Sequence, residues 1–171
     1  MPVLSNRAWL KIVFEVAIAL TIAVGMTFGY PTQSAHAARS IVQFYDGDNM
    51  TIVQSGIKTK IRLACIDAPE LQQPLGDRAR KTLKSLVGDL PIALHVFKRD
   101  RLGRLIAEVY ADGENVNKLL VAQGQAHFDR EQIKDCGDYE AIEQQAKDSH
   151  VGIWEHGADV QLPSQFRRLH R

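Results

Sequence analysis

Residues 40–66 read SIVQFYDGDNMTIVQSGIKTKIRLACI. Short runs rich in β-branched side chains, partly alternating, occupy Ser40 to Tyr45, Met50 to Gln54 and Lys58 to Ile66, and Asp-Gly-Asp and Ser-Gly separate them. The stretch therefore predicts a three-stranded meander. Downstream the period changes. Asp77 to Val87 (DRARKTLKSLV) sets Ala79, Leu83, Leu86 and Val87 on one face with basic residues elsewhere, an amphipathic helix stopped by Gly88. Two further strand-like runs follow, Ile92 to Phe97 and Leu105 to Ala111, then helical patterns over Asn115 to Gln123, ended by Gly124, and over Tyr139 to His150. This order predicts an α+β, β-rich fold: a five-stranded OB-fold barrel with three packed α-helices. Such a fold says only that nucleic-acid or sugar binding is common, so function has to come from residues.

The first residues differ in character. Arg7 and Lys11 precede an apolar run over Ile12 to Tyr30, interrupted only by Glu15 and small polar residues, and Ala35-His36-Ala37 supplies the small residues of a cleavage site. Residues 1–37 are expected to be a signal peptide, with cleavage after Ala37 and an exported product, secreted or periplasmic. A retained N-terminal membrane anchor is the alternative, because the run approaches the roughly 20 residues that span a bilayer. The domain is then expected over residues 38–160, with a basic tail over residues 161–171. Without Arg7, Lys11 and Glu15, the 21 basic and 20 acidic side chains come into balance. Affinity for a polyanion must then come from local patches.

Export also changes the reading of Cys65 and Cys136. Two thiols without clustered histidines cannot complete a structural zinc site. In an oxidising compartment a disulfide between them is the better expectation, closing a loop of about 70 residues at roughly 4 kcal/mol in the chain-entropy view. Two buried free thiols remain the alternative.

Three segments carry candidate chemistry. In Asp46-Gly47-Asp48 the glycine permits a turn and two carboxylates project from strand ends, although Asp-Gly is also an ordinary hairpin turn. An EF-hand is excluded, since Ile57 stands where its closing glutamate would be. In IRLACIDAPE, residues 61–70, Arg62 and Asp67 would face opposite sides of a regular strand, up to about 16 Å apart, so a bulge or twisted end is needed to join them. Pro69 ends the strand and Glu70 lies just beyond. Lys98 to Arg104, KRDRLGR, is a basic loop between apolar strands, either a solvated hairpin or a phosphate clamp. Acidic metal ligands, a carboxylate base and two arginines together make the inventory for cutting a phosphodiester.

With those segments in view, the chain resembles the staphylococcal nuclease, or thermonuclease, family. The resemblance runs through DGD at 46–48, RLACIDAPE at 62–70, DRLGR at 100–104, VYADGENVNKLLVAQGQA at 109–126 and GIW at 152–154. It implies an OB barrel with three helices and a Ca2+-dependent nuclease that hydrolyses DNA and RNA to 3′-phosphate products. Asp48 and Asp67, with the backbone carbonyl of Ala68, would bind the calcium ion. Glu70 would orient or deprotonate the attacking water, and Arg62 and Arg104 would hold the phosphate. Asp46 and Asn49 would stand behind the metal ligands, and Lys98 and Arg101 would contact substrate. No obligate protein partner is expected, the chain is expected to act as a monomer, and membrane contact would be only through the signal segment.

The chain departs from the family at several points. Asn49 replaces the usual threonine or serine, and tyrosines on which family members stack a base, near the basic loop and after the second helix, are replaced by Leu102 and by Phe128 and Arg130. Base stacking contributes about 1–3 kcal/mol, so affinity or base preference should differ. The closing QFRRLHR has no obvious periodicity; it reads as a solvated tail or as an electrostatic contact to substrate phosphates. The competing functions are a non-catalytic nucleic-acid-binding OB module and an exported structural or protein-binding domain. The first should have lost a metal carboxylate or an arginine, and none is lost.

Overall fold

A computed structural model describes residues 41–155 and 161–170. The expected signal segment and cleavage site lie outside the described residues, and among these no helix is long and apolar enough to cross a membrane. Strands β1 (Ile41–Phe44), β2 (Asn49–Gln54) and β3 (Ile57–Leu63) form the expected meander. β5 (Ile92–Arg99) and β6 (Leu105–Ala111) follow helix α1 (Gly76–Val87), and the sheet order is β1-β2-β3-β6-β5. β3 and β6 run parallel, with Arg62 opposite Ile106. β7 (Glu114–Asn115) pairs with β6, and a separate ladder joins β4 (Ile66–Asp67) to β8 (His127–Phe128). The architecture is mixed α+β with an OB-like sheet, and the pairings among the described residues do not close β1 onto β5.

Helix α2 (Val116–Ala122) starts where its sequence says it should: the Asn115 side chain accepts the Lys118 N–H, satisfying an otherwise open donor at the first turn. α3 (Tyr139–Asp148) and the 3₁₀ turn Gly152–Trp154 complete the expected helical part. A fourth helix, α4 (Pro163–Leu169), was not expected; it occupies the segment read as a basic tail. One core joins these layers. Ile61, Leu63, Val109 and Ala107 from the sheet meet Leu83 and Val87 of α1 and Leu120 and Val121 of α2, all fully enclosed. Buried Asn117 ties the layers with polar bonds: its Oδ1 accepts Val109 N–H at 3.0 Å, and its Nδ2 donates to the Ala64 and Ala107 carbonyls at 2.9 and 3.2 Å.

Two departures from the sequence reading position the site. The third strand does not run to Ile66; the chain turns at Ala64–Cys65, with Cys65 at φ 65°, before β4. Cys65 is disulfide-bonded to Cys136, and its N–H donates to Gln132 Oε1 at 2.6 Å. Gly47, read as a turn glycine, instead serves close approach. A Cβ there would stand 2.6 Å from Ala68 Cβ and 2.7 Å from Ala79 Cβ, so only glycine lets the first acidic turn lie against the second acidic segment.

Candidate active site

The turn at residues 46–49 is organised by its own side chains. Asp46 Oδ1 accepts the N–H groups of Asp48 and Asn49 at 3.0 and 2.7 Å, the local geometry that aspartate favours in turns. Asn49 then spans the site. Its Nδ2 donates to Asp46 at 3.0 Å and to Asp48 Oδ1 at 2.7 Å, and its Oδ1 accepts from Arg104 Nη1 at 2.8 Å. The residue that departs from the family pattern is thus the bridge between the acidic turn and the β5–β6 loop.

Asp48 is almost fully enclosed. Its Oδ2 accepts the Ala68 N–H at 2.7 Å and is ion-paired with Arg62 Nη1. The turn at Ala64–Cys65 removes the parity problem: it folds Asp67 back so that Arg62 Nη2 donates to Asp67 Oδ1 at 2.9 Å and to the Ile66 carbonyl at 3.2 Å. One guanidinium therefore joins the two aspartates. Burial pushes the Asp48 carboxyl up, to about 7, with Asp46 and Asp67 adding to the rise and Arg62 and the Ala68 N–H opposing it. Burial works against the Arg62 charge as well, but Asp48 and Asp67 outweigh it and hold the guanidinium charged. Behind Asp67, burial pushes its ladder partner His127 below the usual imidazole range, only partly offset by Glu143 and Asp67.

Glu70 lies at the rim, its side chain about a quarter exposed. Its backbone is held by Gln73, whose Oε1 accepts Glu70 N–H at 2.9 Å. Gly76 packs directly beneath, since a Cβ there would come within 1.9 Å of the Glu70 carbonyl oxygen. Arg104 is oriented by Asp100, whose Oδ1 accepts the Arg104 N–H at 2.9 Å while Oδ2 accepts from Nε at 2.7 Å. Lys98 Nζ donates to the Gln132 carbonyl at 2.7 Å, whereas Arg101 and Leu102 stand exposed at the loop tip. At the replaced tyrosine positions, Arg130 lies over the Phe128 ring at 4.8 Å.

The structure thus brings Asp46, Asp48, Asn49, Arg62, Asp67, Ala68 and Arg104 into one connected cluster with Glu70 beside it. Three participants were missed from sequence: Gln73, Asp100 and Arg167. Arg167 Nη1 donates to Glu70 Oε1 at 2.7 Å and to Asp67 Oδ1 at 3.0 Å. Asp100 and Arg167 had readable signals, respectively an Asp-x-x-Gly turn and a proline that suits a first helical turn. Gln73 had none. Among the described residues no group of three or more His, Cys, Asp or Glu side chains forms a metal cage. The donor set still fits a hard cation, for two convergent carboxylates with backbone carbonyls and water satisfy calcium, which accepts mixed oxygen ligands. Their charge here is balanced by guanidinium groups.

The staphylococcal nuclease homologue family profile matches residues 60–156. An uncharacterized endonuclease of Escherichia coli is 34% identical over 128 residues, which is 74% of this chain and 83% of that protein. An uncharacterized endonuclease of Haemophilus influenzae is 36% identical over 129 residues, covering 75% and 71%. A micrococcal nuclease of Shigella flexneri is 32% identical over 139 residues, covering 75% and 79%.

Proposed function

Because the chain belongs to the staphylococcal nuclease family, we propose that it is a Ca2+-dependent nuclease that hydrolyses DNA and RNA to 3′-phosphate products. The observation that carries this reading is the junction of Asp48 and Asp67 through Arg62, with Glu70 at the rim and Arg104 tied in through Asn49. Asp48, Asp67 and the Ala68 carbonyl would hold the calcium ion. When bound, the ion supplies positive charge against the charge that builds on phosphorus and a ligand position for water.

The remaining chemistry belongs to the side chains. Water attacks phosphorus, the bond from phosphorus to the 5′ oxygen breaks, that oxygen takes a proton from solvent and leaves as a 5′-hydroxyl, and phosphate stays on the 3′ side. Glu70 faces partly to solvent, where it can orient that water and accept its proton. Arg62 and Arg104 present fixed N–H groups to the non-bridging oxygens, a task for which guanidinium geometry is suited. Asp46 and Asn49 keep Asp48 and Arg104 in place, and exposed Arg101 offers a phosphate contact outside the centre. Lys98 serves the same face once it leaves the Gln132 carbonyl. Export is part of the proposal, supported by the apolar leader pattern of residues 1–37 and by a disulfide of a kind that persists in oxidising compartments.

The test is release of acid-soluble nucleotides from denatured DNA by the full chain, in calcium and then in excess chelator, with Glu70→Gln alongside. Calcium-dependent release is expected, lower by roughly 10²–10⁴-fold in the variant, the range for loss of a general base. A folded protein that releases nothing in calcium would leave the non-catalytic binding module as the better reading.

A further inference from the structure

Helix α4 brings a third guanidinium to the carboxylates. Arg167 Nη1 donates to Asp67 Oδ1 at 3.0 Å and to Glu70 Oε1 at 2.7 Å, and Nη2 donates to Asp67 Oδ2 at 3.0 Å. Both oxygens of Asp67 are covered, together with one oxygen of Glu70. A hard cation held by Asp67 needs lone pairs on that same carboxylate. Guanidinium and cation are therefore competitors at Asp67.

The placement of the helix is supported from a second direction. Gln73 is buried, and it accepts the Glu70 N–H through Oε1 while donating through Nε2 to the Gln161 carbonyl at 3.0 Å. The loop that carries Glu70 is thus stitched to the chain that leads into α4. Pro163, at the helix start, is buried as well. Among the described residues Arg167 is the basic residue of α4 seen on the carboxylates; His170, just past the helix end, turns back onto the Phe166 carbonyl and ring.

We propose that Arg167 is a resident counter-cation of the site, closing it with α4 when no metal ion is present and leaving Asp67 and Glu70 when calcium binds. This rests on the reading that Asp48 and Asp67 hold the cation. The Arg167 side chain is about two-fifths exposed, so its hold on the carboxylates is that of a partly solvated ion pair. A closed state favoured by roughly three- to tenfold lowers the apparent cation affinity by about the same factor, because only the open fraction binds. Arg167 is thus a positioning residue: it sets how much cation the enzyme needs and keeps the acidic cluster neutralised until the cation arrives.

The experiment is calorimetric titration of calcium into the full chain without nucleic acid, for the wild type and for Arg167→Ala, Arg167→Lys, Arg168→Ala and Asp48→Asn. Arg167→Ala should bind calcium roughly three- to tenfold more tightly than wild type, and Arg168→Ala, which removes equal charge from the same helix, should not. Arg167→Lys should fall between, because it keeps the charge and loses the two-pronged contact. Amide hydrogen exchange over residues 163–169 should quicken when wild type is loaded with calcium. If wild type binds calcium and Asp48→Asn does not, yet Arg167→Ala binds no more tightly, the plug is refuted while the cation site stands. If Arg167→Ala leaves calcium affinity unchanged but weakens nucleic-acid binding, Arg167 is a phosphate contact and the proposal fails. If neither wild type nor Arg167→Ala takes up calcium, the cation reading of Asp48 and Asp67 fails and takes the plug with it.

Discussion

Replacing Gly47 with alanine tests whether the two acidic segments meet because a hydrogen atom is all that fits between them. The added methyl would lie 2.6 Å from Ala68 Cβ and 2.7 Å from Ala79 Cβ. Comfortable carbon contacts are about 3.5–4.0 Å, so roughly 1 Å of movement is required on each side. Neither neighbour has a rotatable side chain, and the backbone must supply the displacement. Overpacking of this kind costs about 1–3 kcal/mol, a fall in melting temperature of roughly 4–12 °C for a domain of this size. Because the Ala68 N–H bonds Asp48 Oδ2, the same displacement should loosen the carboxylate cluster. The assay is guanidinium denaturation followed by far-ultraviolet circular dichroism for wild type, Gly47→Ala, Ala68→Gly and the double variant. Ala68→Gly should rescue Gly47→Ala in part, with a coupling of about 0.5–1.5 kcal/mol, because the Ala79 contact remains. If Gly47→Ala stayed within about 0.5 kcal/mol of wild type, or if the two changes were additive, close approach would not be the reason for the glycine.

Two further outcomes follow from the structure. Reducing the Cys65–Cys136 bond, or replacing both cysteines with serine, should lower stability by roughly 4 kcal/mol, read as a shift in denaturation midpoint with and without reductant; an unchanged midpoint would show that the bond does not restrain the unfolded chain. Burial raises the Glu108 carboxyl, but hydrogen bonds from Tyr139, Asn115, His95 and Tyr110 outweigh it and hold the group below the usual range. A folded carboxyl below its unfolded value stabilises above the unfolded value, near 4.3, and that contribution disappears as pH falls through the folded one. Glu108→Gln should therefore cost about 1–3 kcal/mol at neutral pH and much less near pH 2–3; a penalty independent of pH would refute the assignment.

The sheet and the first three helices were legible because their signals are local. Asn115 caps its helix, Gly88 stops another, and alternating apolar residues mark β2 and β3. The site was legible only in part. Asp48 and Asp67 could be joined by resemblance, yet strand parity spoke against Arg62 meeting Asp67, because the reversal at Ala64–Cys65 uses residues that do not announce a turn. Cys65 adopts positive φ under tertiary restraint from Gln132 and the disulfide, and neither restraint is visible within the segment. Gly47 is similar: its role depends on Ala68 and Ala79, which reach it only through the fold. Pro163 hinted at α4, but nothing local says that Arg167 will reach Asp67.

The charges of the cluster explain why such a reach is stable. Asp48 and Asp67 are both enclosed, and two neighbouring carboxylates out of water repel each other and pay heavily for desolvation. Arg62 contributes one positive charge to both aspartates and is itself buried, so it cannot turn away without exposing them. Asp67 keeps an oxygen that Arg62 does not cover, and Glu70 adds a further negative charge at the rim. The proposed calcium ion would balance that remainder, but the folded chain must also stand without it. Arg167 satisfies the second condition from a short helix at the edge of the site, where its release disturbs no enclosed apolar residue other than Pro163 among the described residues of that helix. Arg62 is thus the enclosed counter-charge of the site, and Arg167, the more exposed of the two, is the one that the proposal makes exchangeable.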